Sequence, residues 1–186
     1  MKVAYIIPGF TDSARARHYH YVCDSFLAKG ITPSPIKIDW SKWTLTEYVQ
    51  QFFEQYRPEK RQETYLLGFS WGAMIALVAS REVRPKQQIL CSLSPYFKED
   101  LPRIPRKQDD ARSLEDFARY SFAEIARTVP KKPLLVVGGE EARDCIRRSL
   151  DAAKKLSGTL FVAGNAFHDI SDPAYRVLLK EVIANL

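Results

Sequence analysis

The chain has 186 residues, 46% of them hydrophobic, which is enough for one well-buried core in a single domain spanning 1–186 and too little for two ordinary domains. Its longest apolar runs are strand-length, such as 133–137, far short of the ~20 residues that a bilayer-spanning helix needs, so no membrane span is expected. The formal net charge of +6 comes from scattered basic residues (Arg81, Arg84 and Lys86; Arg103, Arg106 and Lys107; Lys131 and Lys132; Arg147 and Arg148) that alternate with acids and lack interleaved aromatics. That pattern reads as a solvated surface and argues against a nucleic-acid partner.

Short β-like runs alternate with helical periodicity from end to end, the pattern of a parallel sheet covered by helices on both faces. A first strand is predicted at 2–7. Pro8, Gly9, Phe10, Thr11 and Asp12 follow as a loop at its carboxyl end. Tyr19, Val22, Phe26 and Leu27 then recur at helical spacing, with Gly30 closing the helix. A strand at 33–39 leads to Thr44, a candidate cap for a helix whose apolar stripe is Leu45, Val49, Phe52, Phe53 and Tyr56. The third strand, 64–69, runs into Gly68, Phe69, Ser70, Trp71 and Gly72, and a helical stretch at 73–79 follows.

That pentapeptide, G-x-S-x-G between a strand and a helix, sets a serine on a sharp turn. Glycines two residues to either side let strand and helix pass closely, and the hydroxyl stands clear of the sheet, where a nucleophile belongs. Beyond it a strand is expected at 88–93. The stretch 94–112, with Pro95, Pro102 and Pro105 among many charges, is long for a connection in a compact domain. Within 94–129 it is a candidate short lid insertion, the plainer alternative being a surface connection. Ser113 and Asp116 form a capping-box pattern for a helix carrying Phe117, Phe122, Ile125 and Val129, which Pro130 ends.

Strands at 133–138 and 159–163 complete the sheet. An acidic cluster, Glu140, Glu141 and Asp144, follows the former, and a small-residue loop, 164–169, follows the latter. Asp172 and Pro173 open a last helix whose Val177, Leu178, Val182 and Ile183 are expected to dock on the sheet.

A serine hydroxyl is a poor nucleophile at neutral pH and needs a histidine to take its proton and a carboxylate to hold that imidazole. His168, in the loop after the last strand, opens at the same carboxyl edge of the sheet as Ser70, where open α/β folds bind ligands. His18 and His20 fall in the first helical region and read as surface or rim residues. Two positions apart, they point away from each other on a helix, which gives a zinc site little support. The order Ser, acid, His is satisfied by this cluster. Glu141 is favoured as the acid because a glutamate just after the strand can reach the loop bearing His168, with Asp144 and Glu140 as alternatives and helix-terminus acids as the plainer reading of each. The charge that develops on a carbonyl oxygen needs two backbone N–H donors, for which the Trp71 and Phe10 amides are the candidates. Phe10, Trp71 and Tyr96 or Phe97 are candidate lining for an acyl pocket. Neither G-x-G-x-x-G nor a phosphate-binding P-loop pattern occurs, so nucleotide binding is not expected.

With the elbow at Ser70, the Pro8–Gly9–Phe10 loop, the acidic turn after Val137 and the loop histidine His168 in that order, the chain resembles the α/β-hydrolase superfamily over nearly its whole length. It is similar to a minimal member without the two opening antiparallel strands. The resemblance implies an open three-layer αβα sandwich with about six strands in the order 2-1-3-4-5-6. It implies a serine hydrolase acting on carboxylic esters or thioesters, with neither metal nor organic cofactor. Members often carry G-x-x-D after the penultimate strand; counting from Gly138 puts Glu141 in the aspartate's place, and counting from Pro133 puts Ala142 there. A catalytically silent binding protein is the alternative, as is acyl transfer or peptide hydrolysis by the same triad.

Cys23, Cys91 and Cys145 are odd in number and far apart, which fits reduced thiols in the cytoplasm better than a disulfide framework. A signal peptide is not expected, because Pro8 and Gly9 interrupt the first apolar run. Oligomeric state and natural substrate are not written in the sequence.

Overall fold

In the computed structural model, residues 1–104 and 111–186 are described. Six strands, β1 (Lys2–Ile7), β2 (Thr32–Pro35), β3 (Glu63–Phe69), β4 (Gln87–Cys91), β5 (Leu134–Gly138) and β6 (Thr159–Ala163), form one sheet in the order β2-β1-β3-β4-β5-β6. Every neighbouring pair is parallel. The helices are α1 (His20–Ala28), α2 (Leu45–Gln55), α3 (Trp71–Val83), α4 (Ala111–Phe117), α5 (Phe122–Thr128), α6 (Arg143–Leu156) and α7 (Pro173–Ala184).

Alternation along the strands sorts the core into two layers. Val3, Tyr5 and Ile7 of β1 face the layer built with α2, α3 and α6, while Ala4 and Ile6 face the layer built with α1 and α7. The order turns at β1, because β2 lies on one side of it and β3 on the other. The crevice at the carboxyl ends of β1 and β3 is therefore a topological switch point, where open α/β sheets bind ligands. Among the described residues no helix is long and apolar enough to cross a membrane.

Capping explains several helix boundaries. Thr44 accepts from the Glu47 amide at the start of α2, and Asp172 accepts from the Ala174 amide with Pro173 in the first turn of α7. The capping box expected at Ser113 and Asp116 lies elsewhere. Ser121 caps α5 by accepting from the Glu124 amide, and the expected single helix is two, α4 and α5. Ser113 Oγ is drawn away by the Trp43 carbonyl (2.6 Å), and Asp116 accepts from the Thr46 amide and hydroxyl.

Other expectations shift as well. The strand at 33–39 is shorter: the Ile36 amide makes a last bond to the Ile6 carbonyl, and the chain then enters a short 3-10 turn at Trp40–Lys42. The strand at 88–93 ends at Cys91 because Ser92 is left-handed, with φ 51°. Leu27 and Val177 face solvent, and Tyr175 and Leu179 are the α7 residues fully buried against the sheet beside Val182 and Ile183.

Arg148 corrects the reading of the basic residues as a solvated surface. Its side chain is 2% exposed, and it holds the buried Asp100 through Nε at 2.9 Å and Nη2 at 2.5 Å. Its guanidinium stacks over the Phe122 ring, 4.5 Å from the centroid, and Nη1 reaches Asp151. This pair ties α6 to the chain that follows β4. Of the stretch expected to be irregular, 94–112, residues 105–110 lie outside the described residues. Glu99, on the near side, accepts from Ser121 Oγ and from the Phe122 and Ala123 amides.

Candidate active site

The turn after β3 is built as the sequence pattern requires. Ser70 has φ 56° and ψ −118°, a conformation that L-residues adopt only when the surroundings enforce it. A Cβ on Gly68 would stand 2.1 Å from the Gly72 carbonyl oxygen, and one on Gly72 would stand 2.4 Å from the Ile7 and Pro8 carbonyl oxygens. Only glycine fits at either position. The Ser70 amide donates to the Cys91 carbonyl at 2.8 Å, anchoring the turn on β4.

His168, in the loop after β6, brings Nε2 to 2.8 Å from Ser70 Oγ. On the other side of the ring Nδ1 lies 2.7 Å from Glu141 Oε2. Three residues remote in sequence thus form one hydrogen-bonded line, Ser70, His168 and Glu141. Glu141 has no exposed side-chain surface. Its Oε1 accepts from Ser92 Oγ at 2.6 Å and from the Gly138 amide at 2.7 Å, which leaves Oε2 to the imidazole. Ser92 Oγ also shares a hydrogen bond of 2.8 Å with the buried Tyr175 hydroxyl. The alternatives are placed otherwise: Asp144 accepts from Arg147 at 3.1 Å, and no described contact joins Glu140 to His168.

The electrostatics of the pair favour a charged imidazole. Partial burial pulls the His168 pKa down, but the hydrogen bonds the ring makes to Cys145 and Glu141 outweigh it and raise it from 6.5 to about 9. Cys91, fully buried, is pushed up to about 12. The three cysteines form no disulfide.

Of the proposed N–H donors, the Trp71 amide is one of the first in α3, which have no carbonyl partner inside their helix. The Phe10 amide has no partner among the described residues. Its loop lies against the serine, since a Cβ on Gly9 would sit 3.5 Å from Ser70 Cβ. A cavity of about 550 Å³ opens over Ser70 and is lined by Phe10, Trp71, Tyr96, Ile104 and His168, among others. Phe10 and Trp71 pack at 4.4 Å between ring centroids, and Trp71 meets Tyr96 at 5.4 Å, making one wall aromatic. Phe97 is in the core, fully buried. His18 pairs with Asp12 at 2.7 Å near the rim, and His20 is exposed on α1.

Two residues of this site escaped the sequence reading. Ser94 Oγ lies 3.1 Å from Ser70 Oγ, and Ser92 holds the acid. The available signal was two small polar residues, both buried, just past the carboxyl end of β4.

No protein-family model matches the sequence, and no curated protein does. Solved structures do match. Est1E from Butyrivibrio proteoclasticus superposes with a TM-score of 0.82 at 15% identity, covering 99% of this chain and 86% of that one. A structure of Est1E with ferulic acid bound gives a TM-score of 0.80 at 14% identity, over 100% and 87%. The alpha/beta hydrolase domain-containing protein 10 from mouse gives 0.76 at 14% identity, over 98% and 88%. The chain therefore has the α/β-hydrolase fold.

Proposed function

We propose that this protein is a serine hydrolase that cleaves carboxylic esters or thioesters through an acyl-enzyme. The observation that carries the reading is the line from Ser70 Oγ to His168 Nε2 (2.8 Å) and from Nδ1 to Glu141 (2.7 Å). In its neutral form, with its Nδ1–H donated to the carboxylate, His168 presents a lone pair on Nε2 to the Ser70 hydroxyl. Ser70 Oγ attacks the carbonyl carbon as its proton passes to Nε2. The tetrahedral oxyanion takes the Phe10 and Trp71 amides. The imidazolium then protonates the leaving alkoxide or thiolate, and water repeats the sequence on the acyl-serine.

Glu141 holds the tautomer and stabilises the imidazolium, and its own two donors fix its orientation. Ser94 is a positioning residue that fixes the Ser70 rotamer. The aromatic wall of Phe10, Trp71 and Tyr96 suits a planar or apolar acyl group, in keeping with the ferulic acid held by Est1E. A small-molecule substrate fits a cavity of about 550 Å³, and the three thiols free of disulfides accord with a cytoplasmic setting.

The test is labelling with a fluorophosphonate and turnover of aryl esters and acyl thioesters. Wild type should be labelled and active, while Ser70→Ala, folded as judged by circular dichroism, should be neither. Absence of labelling in folded wild type would turn the reading to a binding protein.

A further inference from the structure

Cys145 has no part in the mechanism just described, yet it stands against its centre. It sits in the first turn of α6 and lines the cavity over Ser70. Ligand atoms of Glu141, Cys145 and His168 all lie within 4.8 Å of one another. A carboxylate oxygen, a thiol sulfur and an imidazole nitrogen are the three donor types that zinc accepts. In a tetrahedral zinc site with bonds of about 2.0–2.3 Å, neighbouring donors stand about 3.5 Å apart. The Glu141 and His168 donors, now 2.7 Å apart, open by less than about one ångström to reach that spacing, and any pair at the 4.8 Å limit closes by about one.

The surroundings are those of a metal site. Glu141 is oriented by Ser92 Oγ and the Gly138 amide, the kind of outer support that fixes a ligating carboxylate. Cys145 and His168 line the cavity, so an ion can reach them from solvent, and the buried Glu141 carboxylate stands behind them. The other two cysteines are in no such group: Cys91 is fully buried in the core beside Tyr175, and Cys23 lies on α1. The only group of His, Cys, Asp and Glu with this geometry among the described residues is this one.

We propose that Glu141, Cys145 and His168 bind a zinc ion, and that zinc bound there reversibly arrests the hydrolytic centre. The second half rests on the triad reading above; the first does not. Zinc would replace the proton that Glu141 and His168 Nδ1 now share. A neutral imidazole bound to metal through Nδ1 carries its hydrogen on Nε2, so it donates towards Ser70 and can no longer accept the serine's proton. The imidazolium gives up its Nδ1 proton and Cys145 its thiol proton, both to solvent, while Nε2 keeps its hydrogen; no bond between heavier atoms breaks. A chelator would restore the resting tautomer.

The experiment is titration of zinc into chelator-treated protein, read by calorimetry, with cobalt(II) as a spectroscopic probe of thiolate ligation. Wild type and Ser70→Ala should bind one zinc with similar affinity, since the serine is no ligand, and cobalt should give a thiolate charge-transfer band. Cys145→Ala should bind about 100-fold more weakly or worse, because disturbing even an outer-shell partner can cost up to that much. Cys145→Ser, compared by thermal melting, controls for folding. Zinc should abolish wild-type ester turnover, EDTA should restore it, and Cys145→Ala should resist zinc. Equal zinc affinity in wild type and Cys145→Ala would overturn the site, and bound zinc that leaves turnover untouched would overturn its placement on His168. Zinc bound through Cys145 in a protein that neither turns over esters nor takes a fluorophosphonate would instead sink the hydrolase reading and leave the site standing.

Discussion

The two sides of the cavity over Ser70 are made by different physics. On the β1–β3 side, position is set by backbone: Ser70 is held in a strained turn, and Gly68 and Gly72 allow carbonyl approaches that no Cβ would tolerate. On the side supplied by 94–104, which packs on 111–129, position is set by side chains from distant segments. Arg148 clamps Asp100, Glu99 caps the start of α5, and Asp116 holds Thr46 of α2. In the proposed function the first side, joined by Glu141 and His168 from the loops after β5 and β6, carries the chemistry, and the second shapes the space in which a substrate would sit. Substitutions on the two sides should therefore separate loss of rate from loss of stability.

The largest effect is expected on the chemical side. Glu141→Gln should lower kcat by about 10⁴-fold by favouring the wrong tautomer of His168, with the melting temperature little changed. Steady-state kinetics beside a thermal melt would check this. If Asp144→Asn caused the loss and Glu141→Gln did not, the acid would be misassigned.

Asp100→Asn should show the reverse signature. It leaves the buried Arg148 without its main anion and should cost about 3–5 kcal/mol, the usual penalty for breaking a buried pair. A thermal melt should fall by roughly 10 °C, while active-site labelling of the folded fraction persists. A variant as stable as wild type would mean that the second side does not depend on this clamp.

A smaller effect probes the support of the acid. Ser92→Ala removes one of two donors to Glu141 Oε1 and should lower kcat about tenfold with KM nearly unchanged. An unchanged kcat would show that the Gly138 amide suffices.

The gentlest perturbation is pH. Because the pKa of His168 is raised to about 9, the imidazolium is favoured through neutrality, and kcat/KM should climb with pH to a midpoint near 9. The sign is opposite for folding. A pKa above the unfolded value of 6.5 contributes stability that is fully present below pH 6.5 and lost as pH rises through about 9. Cys145→Ala removes one of the contacts that raise the pKa and should move the activity midpoint to lower pH; a midpoint that stays in place would exclude that contact as a cause.

The same division explains what the sequence made legible. The elbow could be read because its rule is local, five residues between a strand and a helix. The loops bearing Phe10 and His168 followed from the alternation of elements, and the strand order from the family resemblance. Ser113 and Asp116 misled because a capping box has the same spacing as two residues bound to Trp43 and Thr46, 70 positions away. Arg148 read as a surface charge because nothing near it in sequence announces Asp100, 48 positions back. Glu141 is favoured in the sequence for its place just after the strand but stands beside Glu140 and Asp144; the packing of β5 against the Ser92 turn is what brings its carboxylate to His168.

The most direct test of the central claim is to trap the acyl-enzyme. A chromogenic ester mixed with the protein and quenched in acid within the first turnover should leave one acyl group, and peptide mapping should place it on Ser70. An acyl group on Cys145, or none in a protein that still turns the ester over, would contradict the account.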